Sequence, residues 1–358
     1  MTNPDATPSR DAMIRSFETQ IRWCDSLGSP FTARLLDLTH QDLQRGGVLA
    51  ALLDHWPGDP VADAVPLRVA GALHALVLSG AESELAACYP PHPAAEDADR
   101  LDSTLRDVLA RRRSFIERFI ASPPQTNEVG RSAVLLGGFL EIACATRLPL
   151  TLLEIGASAG LNLFWDRFAY RLGTVSWGDP ASPVSLAPEW TGPPPPIDAR
   201  VEVAGRAACD LAPVDLEDPD QRLRLKAFIW PDQAARLARL DGAIGLARAA
   251  GVRVEQSDAA SWLRRRLAMP VEGGTTVLYH SIMWHYMPAG TRAEITATVE
   301  AAAARATAAA PLAWLRYEPV AAGKPTELNL TLWPGEHRTR LATAHAHGSA
   351  VEWSGNSG

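Results

Sequence analysis

The sequence is poor in cysteine, and its cysteines are scattered. The four are Cys24, Cys88, Cys144 and Cys209. None forms a CxxC motif or lies at a Cys/His spacing typical of metal ligands, so we predict neither a disulfide framework nor a metal site. The chain also lacks an uncharged apolar run of the roughly 18–20 residues that a membrane-spanning helix needs. The apolar stretch 132–146, for example, is interrupted by Glu141.

Acidic residues outnumber basic ones, with 41 Asp and Glu against 34 Lys and Arg. The formal net charge is −7 at pH 7, which argues against a nucleic-acid partner because phosphate binding needs a positive surface. The sequence begins with a polar segment that holds two acidic residues, unlike a secretory signal peptide. Hydrophobic residues make up 47% of the chain, enough for the core of an ordinary globular protein. We therefore predict a cytoplasmic protein that binds neither nucleic acid nor membrane.

The first 125 residues have helical periodicity. Apolar residues recur at helical spacing in segments 13–23, 31–43, 65–78 and 101–120, and prolines separate these segments. No alternation typical of strands interrupts them. Residues 1–125 are therefore predicted to form a helical domain, which would act as a lid or as one wall of a substrate pocket.

The pattern changes in residues 126–358. Strand-like segments, predicted at 201–209, 252–256, 275–280 and 312–317, follow a first strand near residue 150 and alternate with helical segments. Segments 328–333 and 343–353 then predict a closing antiparallel hairpin. Alternating strands and helices indicate an α/β domain with a doubly wound, mostly parallel sheet. Five parallel strands followed by a hairpin resemble the seven-stranded layout of class I methyltransferases.

The clearest motif, EIGASAGLN at residues 154–162, follows the first predicted strand. Two glycines with only small residues between them allow a tight turn and let a ligand approach the backbone closely. The apolar periodicity of LNLFWDRFAYRL predicts a helix after the turn, and its free N–H groups would add a polar cradle. The residues predicted to bind the ligand here are Glu154, Gly156, Ser158, Gly160 and Asn162.

The motif departs from that of dinucleotide-binding proteins. Counted from Gly156, the second and third glycines of G-x-G-x-x-G are replaced by Ser158 and Leu161. The Glu154 carboxylate would repel a pyrophosphate but attract a ligand that carries ammonium and sulfonium groups. S-adenosylmethionine carries both and no phosphate, so we predict it as the cofactor. E-x-G-x-S-x-G also resembles the methyltransferase motif E-x-G-x-G-x-G, with serine at the middle glycine.

Two aspartates end the next two predicted strands. Asp210 follows the second strand, where its carboxylate can accept hydrogen bonds from ribose hydroxyls, and Asp258 follows the third, where it can accept from an adenine amino group. The backbone N–H of Ala259 would then meet the adenine ring. Aspartate is also common at strand ends as a turn former or a helix cap. Their joint placement after successive strands favours the binding interpretation.

The segment YHSIMWHY follows the fourth predicted strand, at the end of the sheet where doubly wound folds bind ligands. We predict His280 as a general base and Trp284 and Tyr286 as an aromatic wall that would attract a sulfonium. Ordinary core packing is the alternative for all three.

Two helix starts supply further candidates. In QTNEVGR, Asn127 and Arg131 are predicted to bind the substrate, and Glu128 is a second candidate base. A helix-capping cluster is the alternative for these residues. In FIWPDQ, Trp230 would lie over a ligand or pack against the sheet. The histidines of HAHG alternate on a predicted strand, but no third ligand accompanies them, so no metal site is predicted there.

Several of these motifs occur together in a known family. The segments QTNEVGRS, LLEIGASAGLNL, ACDLAPVD, WPDQAARLARL, YHSIMWHY and HAHG, in this order, resemble a bacterial family of uncharacterised proteins, domain of unknown function 2332. The resemblance covers nearly the whole chain, and the family pattern includes Asn162 and Asp166. Because the family has no assigned reaction, the resemblance implies a fold and a ligand class only through the family's own likeness to methyltransferases.

Three functions fit these residues. The first is an S-adenosylmethionine-dependent methyltransferase that acts on a small molecule, because methyl transfer needs alignment and exclusion of water more than a dedicated nucleophile. The second is a module that binds S-adenosylmethionine or its product without transferring a methyl group. The third is a serine hydrolase, since Ser158 lies in G-A-S-A-G, which resembles the nucleophile elbow G-x-S-x-G.

Overall fold

The computed structural model describes residues 10–251, 253–321 and 324–355. The α-helices of these residues are α1 (Arg10–Ser26), α2 (Pro30–Gln44), α3 (Val48–Leu53), α4 (Val65–Leu78), α5 (Ser83–Ala87), α6 (Ala98–Arg111), α7 (Arg113–Ile120), α8 (Ser132–Thr146), α9 (Pro219–Ala227), α10 (Ala234–Ala250), α11 (Ala259–Arg266) and α12 (Ala289–Ala303). The β-strands are β1 (Leu150–Ile155), β2 (Ala169–Leu172), β3 (Val175–Trp177), β4 (Ser185–Leu186), β5 (Glu189–Thr191), β6 (Val203–Asp210), β7 (Glu255–Gln256), β8 (Thr275–Ser281), β9 (Leu312–Pro319), β10 (Thr326–Trp333), β11 (His337–Ala344) and β12 (Ala350–Trp353).

The chain divides into two compact units. The helical unit contains the described residues up to Thr126 together with Asp218–Ala238, and the sheet unit contains the rest. From the sequence, one boundary near residue 125 is expected, whereas the chain also re-enters the helical unit at Asp218. Contacts with distant residues hold this segment there. Helix α9 packs against α4, and the Asp232 carboxylate accepts hydrogen bonds from Ser29 Oγ at 2.5 Å and from the Phe31 N–H at 3.0 Å.

The helical unit is built around α4. This helix is apolar on nearly all sides and almost every residue from Val65 to Leu76 is buried, as expected for a helix at the centre of a core. Apolar side chains of α1, α2, α6 and α7 pack into the same core. The segment 101–120, predicted as one helical stretch, is divided between α6 and α7 at Arg112, whose backbone is not helical (φ −105°, ψ 17°).

The main sheet of the sheet unit has the strand order β5-β12-β11-β10-β9-β8-β1-β6-β7. Strands β7, β6, β1, β8 and β9 are parallel. From β1 the chain goes to β6 on one side, and from β8 it continues to β9 on the other. A doubly wound sheet binds its ligand outside the carboxyl ends of two such strands, where the connections diverge. The expected site therefore lies at the carboxyl ends of β1 and β8.

The described part of the main sheet has nine strands, whereas seven are predicted from the sequence. The predicted closing hairpin is an antiparallel meander of β10, β11 and β12, and β5 adds an edge strand parallel to β12. The predicted strand 343–353 is divided by a turn at Gly348, which has φ +70°. The third parallel strand is only Glu255–Gln256; Val252, at its predicted start, lies outside the described residues.

The helix predicted after the glycine turn is also wrong. Residues Leu161–Arg167 form a 3-10 helix with non-helical dihedral angles at Phe164, and Ala169–Leu172 is strand β2 of a small second sheet with β3 and β4. The apolar residues of LNLFWDRFAYRL follow helical spacing, but Tyr170 and Leu172 point into the core from a strand that pairs with β3. Periodicity over so short a segment did not distinguish the two states.

One helical stretch has the length and composition of a membrane span. It is Val129–Thr146, and 72% of it is buried within the fold. Gly137 and Gly138 of α8 allow close packing, because a Cβ at either position would overlap Trp353 or Leu315 of the sheet. The burial and these contacts identify α8 as a core helix.

Candidate functional site

The turn after β1 has the conformation expected of a ligand-binding loop. Gly156, Ser158 and Gly160 have φ values of +67°, +54° and +70°, in the left-handed region that glycine adopts at little cost. The Ala157 N–H donates to the carbonyl of Cys209 at 3.2 Å, which joins the turn to the end of β6. The turn thus lies at the carboxyl end of β1, beside the point where the connections diverge.

The Met283 side chain packs over this turn. A Cβ placed on Gly156 would lie 2.5 Å from Met283 Cε and 2.9 Å from its Cγ. Only glycine leaves room for this contact. A ligand that approaches the backbone of Gly156 would meet Met283 first, and a methionine, with three flexible side-chain torsions, can move aside.

We expect Gly156→Ala to lower the free energy of unfolding by about 1–3 kcal/mol, because the new methyl group overlaps Met283 and the backbone is left-handed. Adding Met283→Ala to this variant should restore only the part of the lost free energy that is due to the overlap. Chemical denaturation of the four proteins of this double-mutant cycle measures both parts. Strictly additive effects would contradict the described contact.

Asp210 ends β6 beside the turn. Its Oδ2 accepts a hydrogen bond from the Ser158 N–H at 2.8 Å and its Oδ1 accepts from the Ala212 N–H at 2.9 Å. The side chain is half-buried, and each carboxylate oxygen keeps capacity for a second donor. A carboxylate held in this way fits the two hydroxyls of a ribose.

Asp258 is placed differently. It caps the N-terminus of α11, where its side chain accepts from the Ser261 N–H at 2.9 Å. This hydrogen bond holds the pKa of the exposed Asp258 below its usual value. The next residue, Ala259, is buried. The helix cap explains Asp258 without a ligand, and its exposed oxygens still permit a contact with an adenine amino group.

Glu154 is 2% exposed and its Oε2 accepts a hydrogen bond from Tyr279 Oη at 3.0 Å. Burial raises the pKa of Glu154 to about 8, and the Tyr279 hydrogen bond and the nearby Arg131 only partly offset this effect. The side chain is therefore mostly protonated at pH 7. The negative charge that would attract a cationic ligand is therefore largely absent at neutral pH, and it develops as the pH rises through the pKa of Glu154.

The two asparagines bind the protein's own backbone and side chains. Asn127 Oδ1 accepts from the Leu161 N–H at 2.9 Å, at the start of the 3-10 helix. Asn162 Oδ1 accepts from Ser132 Oγ at 2.7 Å, and its Nδ2 donates to the Glu128 carbonyl at 3.4 Å. Both side chains are buried. They join the segment before α8 to the turn, and the cradle of free N–H groups predicted after the turn is partly occupied by Asn127.

His280 forms a buried pair with Glu318, which ends β9. His280 is fully buried, and its Nδ1 lies 2.7 Å from Glu318 Oε1. The same oxygen accepts from the N–H groups of Met283 and Trp284 at 3.1 and 3.3 Å. Burial would raise the pKa of Glu318, but these donors outweigh it and the pKa is lowered. A carboxylate at Nδ1 places the ring proton there, which leaves Nε2 as a proton acceptor.

Among the described residues, no group hydrogen-bonds His280 Nε2. Its ring stacks on Trp284, with centroids 5.0 Å apart, and Trp314 lies at 6.2 Å. The arrangement holds a buried histidine nitrogen beside aromatic rings at the carboxyl end of β8, next to the turn covered by Met283.

Glu128 and Arg131 lie at the same edge of the sheet. Glu128 Oε1 accepts from the Gly130 N–H at 3.0 Å, and its Oε2 lies 3.4 Å from His347 Nδ1. Arg131 donates to the carbonyls of Ala346 at 3.2 Å and Ser281 at 2.8 Å. Burial lowers the pKa of Arg131. The arginine thus ties the start of α8 to the end of β8 and to the turn after β11.

The predicted aromatic residues have different environments. Trp284 is half-buried against His280, whereas Tyr286 is 77% exposed. Trp230 belongs to the helical unit and packs against its core. The histidines His345 and His347 lie in the turn after β11 rather than on a strand. No group of three or more histidine, cysteine or carboxylate side chains suited to a metal occurs in the described part of the chain.

Sequence reasoning missed Glu318, Met283 and the Tyr279 contact with Glu154. Glu318 was detectable, because it directly follows the predicted strand 312–317 and the criterion applied to Asp210 selects it too. Met283 lies inside the segment YHSIMWHY, but nothing in the local sequence indicates that it packs on Gly156, which is 127 residues earlier in the chain.

Comparison with known proteins identifies the family. The profile of a family described as "Uncharacterized protein conserved in bacteria (DUF2332)" matches residues 15–353. Searches of curated proteins and of solved structures found no match. Because the profile spans nearly the whole sequence, including both units, this chain belongs to that bacterial family.

Proposed function

We propose that this protein is a cytoplasmic S-adenosylmethionine-dependent methyltransferase that acts on a small molecule. Five parallel strands followed by antiparallel ones support the proposal through their resemblance to class I methyltransferases. So does the position of the glycine turn, between strands whose connections run to opposite sides of the sheet.

The proposal depends on one observation about the glycine turn. The turn lacks the set of free N–H groups that binds a phosphate, and it lies beside the carboxylate of Asp210 at the end of β6. A pyrophosphate binds to free N–H groups at the start of an α-helix. Here a 3-10 helix follows the turn, and the Leu161 N–H already donates to Asn127. Asp210 on the neighbouring strand offers two oxygens to a ribose. A nucleoside without phosphates fits this arrangement better than a dinucleotide does.

When bound, S-adenosylmethionine supplies an electrophilic methyl group, and the protein aligns the acceptor and receives its proton. We assign proton acceptance to His280 Nε2, because Glu318 holds the Nδ1 proton and Nε2 has no protein partner among the described residues. Glu128 is less suited to this role, since one of its oxygens caps Gly130 and the other lies close to His347.

Thermal unfolding with added ligands tests the proposal. At a hundredfold excess over its Kd, a ligand stabilises the folded state by about 2.7 kcal/mol, a shift of several degrees. We expect this shift with S-adenosylmethionine and S-adenosylhomocysteine and none with NAD. A shift with NAD alone would contradict the proposal.

A binding module without transferase activity would give the same thermal shifts. Transfer of a labelled methyl group to any member of a panel of small metabolites distinguishes the two functions. His280 Nε2, which has no hydrogen-bond partner among the described residues, favours the enzyme, since a module that only binds the cofactor has no need of a proton acceptor beside it.

A further inference from the structure

Ser158 has two features that oppose folding. Its backbone is left-handed, with φ +54°, a conformation that costs a side chain with a Cβ more than it costs glycine. Its hydroxyl is buried, and no group of the described residues hydrogen-bonds it. The residue as a whole is 6% exposed. A glycine at this position would remove both costs.

The backbone of Ser158, by contrast, is fully paired. Its N–H donates to Asp210 Oδ2 at 2.8 Å, and its carbonyl accepts from the Val214 N–H at 3.1 Å. The described part of the fold therefore hydrogen-bonds the main chain of this residue but not its hydroxyl. A buried polar group that has no partner among the described residues, at the centre of the candidate ligand-binding turn, indicates a ligand atom as the missing partner.

We propose that the Ser158 hydroxyl binds the ribose of a nucleoside held at the turn, beside the Asp210 carboxylate. This inference rests on the proposed function, because it requires a nucleoside at that place. The serine then lowers the stability of the empty protein and raises the affinity of the site. Met283, which packs on Gly156 two residues earlier, must move for the ligand to reach the turn.

Two variants test the assignment, with thermal unfolding without ligand and calorimetric titration with S-adenosylhomocysteine as the measurements. Ser158→Ala removes only the hydroxyl, and Ser158→Gly also relieves the backbone. We expect both to raise the unfolding midpoint, by roughly 2–4 °C, with the larger rise for glycine. We expect both to weaken binding about fivefold, the contribution of one neutral hydrogen bond.

A matched control is available at Arg147. This exposed residue after α8 is also left-handed, with φ +55°, and lies at the opposite edge of the sheet. Arg147→Gly should raise the midpoint in the same way and leave the Kd for S-adenosylhomocysteine unchanged. The contrast separates relief of backbone strain from loss of a ligand contact.

The ribose is tested with an analogue of S-adenosylhomocysteine that lacks both ribose hydroxyls. Ser158→Ala should not weaken the binding of this analogue, and an equal loss for both ligands would overturn the ribose contact. A lower midpoint with unchanged affinity would show a purely structural hydroxyl, and labelling of Ser158 by a fluorophosphonate would indicate a nucleophile instead.

If the wild-type protein binds no S-adenosylhomocysteine, the proposed function itself fails. If the wild-type protein binds it and both variants bind it equally well, only this inference fails.

Discussion

Asp210→Asn is expected to weaken the binding of S-adenosylhomocysteine roughly a hundredfold, or about 2.7 kcal/mol. A hydrogen bond to a charged group contributes about 1.5–3 kcal/mol, and the carboxylate can accept from both ribose hydroxyls. Asparagine keeps one acceptor oxygen and turns a donor towards either the Ser158 or the Ala212 N–H. Titration calorimetry gives the Kd, and thermal unfolding shows whether the variant is folded.

The control for this prediction is Asp198→Asn. Asp198 is exposed and lines a cavity with Pro149 and Arg200, at the edge of the sheet where β1 begins. Its substitution makes the same change of charge far from the turn, so the Kd should not change. Equal affinity of the Asp210 variant and the wild type would remove the ribose assignment and with it the main support for the proposed cofactor.

Glu154→Gln is expected to stabilise the protein strongly at pH 8 and very little at pH 4.5. The pKa of Glu154 is about 8 in the folded state against an ordinary value of 4.5. Between these values the folded chain holds a proton that the unfolded chain has released, so the wild type loses stability as pH rises through this window. Below pH 4.5 both states hold the proton, and above pH 8 the loss is complete.

The expected size of this effect is on the order of 4 kcal/mol, at about 1.4 kcal/mol for each pKa unit. Glutamine keeps an oxygen for the Tyr279 hydroxyl and carries no charge, so the variant lacks this pH dependence. Chemical denaturation of both proteins from pH 4.5 to 9 gives their free energies of unfolding, and the difference between them is the contribution of Glu154 ionisation. Glu300→Gln on the exposed face of α12 is the control. If the difference in free energy of unfolding between Glu154→Gln and the wild type did not change with pH, the result would contradict the burial of an ionisable carboxyl group.

The sequence predicted those parts of the site that depend on local structure alone. The turn at Gly156–Gly160 was predictable because a short apolar strand followed by closely spaced glycines has few other conformations. The strands that became β8 and β9 were predictable to within a few residues, because each is a short apolar run between breaks. Strand β6 contains Arg206 and gave a weaker pattern, but it too lies within a few residues of its predicted position. The aspartate at the end of β6 could therefore be placed beside the turn without coordinates.

Contacts between distant segments could not be predicted in this way. The return of Asp218–Ala238 to the helical unit depends on contacts with much earlier residues, which include the packing of α9 on α4 and the hydrogen bonds of Asp232 to residues 29 and 31. The helix predicted after the turn became a 3-10 helix and strand β2, since pairing with β3 outweighs a helical periodicity of a few turns. The His280–Glu318 pair exists only because β8 and β9 are neighbours.

The sequence by itself determined the chemical groups of the site: two glycines and a serine in one turn, a carboxyl group before it, and an aspartate after the next strand. Only the tertiary structure decided their states. Burial keeps the proton on Glu154, Asn127 occupies the N–H that a phosphate would use, and the Ser158 hydroxyl remains without a protein partner among the described residues. Protonation and hydrogen bonding depend on how deeply a group is buried and on which distant segments lie next to it. The order of residues along the chain does not specify either directly.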